Sequence, residues 1–192
     1  MINDLIKKKL FLKNTFLMKD IKLLKSEAER CKDILYRLSK NPQNLKDDFF
    51  EKIKIVDLLK LNFDKFNDNK KLSFFYKHFD KENKIFFKDE INYALGNIMQ
   101  NAILYSKYNI NVVLESFENE FCIKIENDGS SFSKDILDKL GEPYISKSKK
   151  GMGLGIFIAK NLIENMKGTI IFYNSLNNNA IVEIKFEKTI LV

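Results

Sequence analysis

Apolar positions along this chain change their spacing once, close to Pro42. From Thr15 to Asn41 there is neither Gly nor Pro, and Leu17, Ile21, Leu24, Ala28, Cys31, Leu35 and Leu38 recur at alternating steps of 4 and 3. That is a heptad seam, which buries a narrow stripe against partner helices. Ile2, Ile6 and Leu10 predict a shorter helix before it, ending near Leu12. The two make a helical hairpin over residues 1–43. Alone it would leave apolar surface open; a homodimer through residues 2–41 would close it as a four-helix bundle.

Beyond a boundary between Asn41 and Asp48 the pattern mixes short alternating runs with helical ones. Strands are expected at Ile53–Val56, Leu72–Phe79, Lys84–Phe87, Asn111–Phe117, Phe121–Glu126, Thr169–Tyr173 and Ile181–Phe186. Helices are expected at Asp57–Phe66, Asp89–Ser106, Lys134–Leu140 and Leu154–Met166. Ile91, Leu95, Ile98 and Ala102 line one face of the second of these. Helices interleaved with hairpins predict an α+β domain over residues 44–192, a mixed sheet with helices on one face.

Composition narrows the class. Of the 192 residues 45% are hydrophobic and 17 are Phe, enough for a packed core. No apolar run is long enough for a membrane span and no signal-peptide pattern opens the chain, so a cytoplasmic protein is expected. The net charge of +7 is spread among acidic residues without an Arg/aromatic surface, which argues against a nucleic-acid partner. Cys31 and Cys122 lie far apart with no metal-ligand spacing.

Three stretches carry candidate chemistry. In "KKGMGLGIFIAKNLIE", Gly151, Gly153 and Gly155, three of only 7 glycines, directly precede a helix. Glycines let the main chain approach a ligand, and a helix N-terminus suits phosphate. Neither the dinucleotide nor the Walker spacing is met, and a plain glycine hinge is the alternative. In "NYALGNIMQNAILYS", Asn97 and Asn101 share a helix face with Tyr93 and Tyr105 a turn to either side. A carboxamide oxygen is a suitable hard ligand for Mg²⁺, although an Asn-rich chain produces such pairs by chance. In "IKIENDGSSFS", an alternating strand runs into Asn127-Asp128-Gly129, which a turn also explains.

Together, in this order, the three resemble the N-box, G1 and G2 motifs of the GHKL ATPases: gyrase-type, MutL-type and chaperone ATPases and sensor histidine kinases. "SEAERCKDILYRLS", "YALGNIMQNA", "GEPYIS" and "GMGLGIFIAKNLIE" are similar to segments of RegB/PrrB-type redox-responding kinases. The resemblance implies ATP with Mg²⁺ as cofactors, held between helices and sheet under a lid formed by residues 130–150. Asn101 would then coordinate Mg²⁺, Asn97 would assist at the phosphates, and Gly129 would let the G1 turn meet adenine. Gly151, Gly153, Leu154 and Gly155 would present backbone N–H groups to the phosphates. Tyr105 would belong to the same site, and Lys147, Lys149 or Lys150 would reach the γ-phosphate. Cys31 would be the redox-responsive cysteine; a small apolar core residue is the alternative.

The chain departs from the family at Asn127, where an Asp usually accepts the adenine amino hydrogen bond. It departs again at Ser131, where a second G1 glycine is common, and at Leu104, where many kinases carry Lys. An Asn carbonyl accepts the adenine bond without charge, so recognition is weaker. The single histidine, His78, falls at a strand end and is no phosphoacceptor. The resemblance therefore implies an ATP-binding kinase core with a partial hairpin that lacks the phosphoacceptor. The ATP γ-phosphoryl group would go to a histidine not present in this chain, expected upstream of Met1 on the first bundle helix, and then to a response regulator. Two rival readings are a dimerisation module with impaired nucleotide binding and a serine kinase of the anti-sigma type.

Overall fold

In the computed structural model the described residues are 51–67, 69–86, 88–145 and 153–192, all within one compact unit, Asp47–Val192. The expected hairpin over 1–43, with Cys31, lies outside them, as do Lys147, Lys149, Lys150 and Gly151. The elements are β1 (Lys52–Lys54), α1 (Ile55–Phe66), β2 (Lys71–Lys77), β3 (Lys84–Phe86), α2 (Asp89–Tyr105), β4 (Asn109–Ser116), β5 (Glu120–Asn127), α3 (Lys134–Leu137), α4 (Gly155–Asn165), β6 (Thr169–Asn174) and β7 (Ala180–Glu187).

Five strands form a mixed sheet in the order β2-β4-β5-β7-β6, with β2 and β4 parallel and the other pairs antiparallel. Alternation along the strands sorts residues between two faces. One face carries Ile110, Val112 and Leu114, then Phe121, Ile123 and Ile125, then Val182, Ile184 and Phe186, all buried. The helices cover it: α1 packs on α2, α2 on α4 and β5, and α4 on β6. Each fully buried Ile or Leu there contributes about 1.5–3 kcal/mol. The opposite face is charged, with Lys124 bridging Glu115 (3.3 Å) and Glu183 (3.7 Å) and Lys185 bridging Glu120 (3.5 Å). A mixed sheet with helices on one face is the architecture expected from the sequence.

One expected element is corrected. Only the first half of Ile53–Val56 is strand: β1 is Lys52–Lys54, and Ile55 and Val56 open α1. With Leu58, Leu59, Asn62 and Phe63 they form one buried helical stripe, and that stripe outweighs the β-preference of an Ile-Val pair. Two shorter changes follow from local backbone. His78 adopts φ +52° and ends β2, leaving Phe79 buried beyond the strand against Phe121. The helix after Ser133 spans only Lys134–Leu137 before the chain turns. β1 and β3 pair with each other as a separate small sheet, which the sequence pattern did not distinguish.

Helix α2 fits closely against α1 through one polar contact. Asn62, 3% exposed, donates to the Leu58 carbonyl (3.0 Å) and to Asn92 Oδ1 (2.9 Å). A Cβ on Gly96 would lie 2.7 Å from Asn62 Oδ1, so a glycine is what lets the helices approach here.

Candidate nucleotide site

Two of the motif stretches meet at one end of the sheet, and the third opens α4, which packs on α2. Asn127 closes β5 on its helix-facing side, in register with Ile110 on β4 and Ala180 on β7, and Ala180 pairs onward with Asn174 on β6. A row of Asn, Ala and Asn thus crosses three strands beneath the helices. Asn127 is 7% exposed, and its Oδ1 accepts the Gly129 N–H at 3.1 Å. One lone pair of that oxygen is therefore taken by the turn, leaving the second for an incoming donor.

Gly129 has a structural task of its own. A Cβ there would fall 1.6 Å from the Tyr105 carbonyl oxygen, so the glycine seats the β5 turn directly on the last residue of α2. Asn101 lies one turn back along that helix and Asn97 two turns back, about 6 and 12 Å along the axis. The helix therefore runs its asparagine face away from the strand end, the layout needed to read a base at one point and phosphates further along. Asn101 is half-buried, and its Nδ2 donates to the Asn97 carbonyl at 2.8 Å. Among the described residues its Oδ1 accepts no hydrogen bond, so it is left as a neutral oxygen donor suited to a hard cation. Asn97 is buried, with Nδ2 donating to the Tyr93 carbonyl at 3.1 Å. Tyr105 is exposed; what it brings to this junction is its carbonyl.

Helix α4 presents its start. Leu154 stands at the N-cap position and makes no side-chain capping bond, and no acidic residue occupies the first turn of the helix. The first N–H groups remain donors at the positive end of the dipole, an anion-binding arrangement. Gly153 leads into it at φ +68°, where a Cβ would meet Ile145 backbone atoms at 2.6 Å. The backbones on either side of residues 146–152 thus touch.

The segment after Gly129 is tied down in ways the sequence did not announce. The Asn174 side chain mimics a strand neighbour: Oδ1 accepts the Phe132 N–H (2.8 Å) and Nδ2 donates to the Phe132 carbonyl (2.9 Å). Phe132 also meets Phe172 edge-on. Gly141, at φ +93°, lies under the stem of Lys160 on α4.

Asp128 was also missed, since its sequence context reads only as a turn. Partial burial alone would raise its carboxyl, but the N–H groups of Tyr108, Asn109 and Lys107 and the Asn109 amide hold it below the ordinary 3.8. Cys122 lies on the charged face of the sheet, away from the helices. Burial, with Glu183 nearby, pushes its thiol up to about 12, so it is not a nucleophile. Among the described residues no group of three or more His, Cys, Asp or Glu could hold a metal ion, and no helix is long and apolar enough to cross a membrane. Leu104 is exposed, and Ser131 lies at the foot of the tethered segment beside Phe132.

A family model described as histidine kinase-, DNA gyrase B- and HSP90-like ATPase matches residues 88–190, slightly over half the chain. Sensor histidine kinase RegB of Cereibacter sphaeroides is 26% identical over 173 residues, covering 81% of this chain and 37% of its own length. Sporulation kinase B of Bacillus subtilis is 31% identical over 99 residues, 50% of this chain and 23% of its own. The chain therefore spans little more than a third of the first of these curated relatives and about a quarter of the second. In structure it is similar to the Acinetobacter baumannii histidine kinase AdeS, with a TM-score of 0.66 at 22% identity over 91% of this chain and 85% of that one.

Proposed function

Since the chain belongs to the family of histidine kinase-, DNA gyrase B- and HSP90-like ATPases, we propose that it is the ATP-binding catalytic core of a sensor histidine kinase. The observation that carries this reading is the seating of the Asn97/Asn101 helix on the β5 turn, Tyr105 on Gly129, with α4, whose N-cap Leu154 makes no side-chain capping bond, packed on that same helix. Adenine sits against Asn127 and the G1 turn. Triphosphate runs along the α2 asparagines toward the N–H groups that follow Gly153, with Gly151, Leu154 and Gly155 adding backbone donors and Lys147 a charge. Asn101 holds Mg²⁺, which supplies charge neutralisation at the phosphates when bound.

The protein's own contribution is positioning, which is most of what in-line phosphoryl transfer requires. An imidazole nitrogen attacks the γ-phosphorus, the bond from that phosphorus to the β–γ bridging oxygen breaks, and ADP leaves. His78 is not that acceptor: it is exposed where β2 ends, at φ +52°. The acceptor is instead a histidine on a bundle helix, supplied to a homodimer built through residues 2–41. The phosphoryl group passes on to a response regulator in the cytoplasm, and oxidation of Cys31 on the heptad seam regulates the dimer.

Mixing the chain with a histidine-bearing bundle peptide and γ-labelled ATP tests this. The expected product is an acid-labile, base-stable label on the peptide, absent when its histidine is replaced. A peptide that stays unlabelled while the chain binds ATP would remove the kinase reading.

A further inference from the structure

We propose that Lys70 and Asp128 are positioning residues that grip the turn between α2 and β4 from two sides and so set the distance between the asparagine pair on α2 and the adenine-reading end of β5. This rests on the nucleotide site proposed above, and it concerns two residues that the proposed site leaves without a task.

The turn runs from Ser106 to Asn109, and every backbone polar group in it is engaged. The Ser106 N–H donates to the Ala102 carbonyl (3.0 Å), closing α2. Lys70 Nζ then donates to the carbonyls of Ser106 (3.1 Å) and Lys107 (2.6 Å). From the other side, Asp128 Oδ1 accepts the N–H groups of Lys107 (2.8 Å) and Tyr108 (3.0 Å). Its Oδ2 accepts the Asn109 N–H and side-chain Nδ2, each at 2.9 Å. The remaining groups pair with neighbouring backbone: Lys71 N–H with the Tyr108 carbonyl (2.8 Å) and Asp128 N–H with the Asn109 carbonyl (3.2 Å). A cation thus takes two of the four carbonyls and an anion three of the four N–H groups of this turn. Charge-assisted hydrogen bonds of this kind are roughly twice as strong as neutral ones.

The placement of the two charges is specific. Helix α2 has no basic residue in its last turn, and Lys70, reaching from the chain just before β2, supplies the cation its C-terminus favours. Lys70 is itself fixed by Asn67, whose Oδ1 accepts the Lys70 N–H at 2.8 Å. Asp128 stands between Asn127, the proposed adenine acceptor, and Gly129, which rests on Tyr105. Any slack in the turn therefore moves α2 relative to β5 directly.

Adenine and magnesium-phosphate are read from different elements, so the intact nucleotide behaves as a bivalent ligand whose affinity depends on the spacing of its two subsites. Loosening the grip should weaken the whole ligand and spare its parts. Asp128→Ala in the full chain should lower Mg-ATP affinity about tenfold while adenosine affinity changes by less than about twofold. Hydrogen exchange at the Lys107, Tyr108 and Asn109 amides should accelerate in the same variant. Lys70→Met, at a half-buried position, should give the same pattern more weakly and serves if Asp128→Ala does not fold.

An Asp128→Ala or Lys70→Met chain that binds Mg-ATP as the parent does, or loses adenosine in the same proportion as Mg-ATP, would overturn the proposal. So would unchanged exchange at the three amides. If the parent binds neither ligand the site itself is refuted, an outcome distinct from failure of the grip, which shows only when the parent binds.

Discussion

Gly129→Ala should lower the thermal midpoint by about 10 °C, the loss expected for roughly 3 kcal/mol in a domain of this size. The added methyl would sit 1.6 Å from the Tyr105 carbonyl oxygen, 2.7 Å from its carbonyl carbon and 3.0 Å from Asn127 Oδ1. The two shortest of these are backbone atoms at the end of a helix whose next turn is fully hydrogen-bonded. They cannot step aside as a flexible side chain would. Either the β5 turn lifts from α2 or α2 slides along the sheet, and both break the interior packing of Ile98 and Met99, which are 0% exposed. Circular dichroism at 222 nm during heating gives the midpoint. A shift of less than about 2 °C would mean that the turn does not rest on the helix, given that 1 kcal/mol corresponds to several degrees here.

Asn101→Ala should do the reverse: leave the midpoint unchanged or slightly higher and lower Mg-ATP affinity by about a hundredfold, near 3 kcal/mol. Alanine is the better helix former, so losing the bond from Nδ2 to the Asn97 carbonyl costs the fold little. The affinity falls because Oδ1 is the oxygen proposed to meet the metal, and no neighbouring described side chain on α2 replaces it. Titration calorimetry with Mg-ATP on the parent and the variant measures it. An unchanged affinity would move the metal away from α2. Gly129 rests on Tyr105, one helical turn from Asn101, yet one substitution is expected to act on stability and the other on binding.

How far the sequence revealed all this depended on whether a signal was periodic. The stripe on α2 was legible because Ile91, Leu95, Ile98 and Ala102 repeat along one face and all end buried. The mixed sheet was legible because β4, β5 and β7 alternate. Ile55 and Val56 misled because two adjacent β-branched residues look like a strand until the spacing to Leu58, Leu59, Asn62 and Phe63 is counted. At the site, the motif residues were legible as types but their contacts within the fold were not. Gly129 was expected to admit a ligand and also admits a helix end, a contact between residues 24 apart in sequence. Asn174 and Lys70 carried no local pattern, and Asp128 only that of a turn. Each acts on backbone polar groups brought near only by the fold, and such pairings have no periodicity to read.

The central claim is that the α2 asparagines and the α4 helix start close around one magnesium-bound triphosphate. Calorimetric titration of the unmodified chain with ATP, once with magnesium and once with EDTA, tests it most directly. One saturable site, distinctly tighter with magnesium, is the predicted result. Heats that match buffer dilution under both conditions would contradict it.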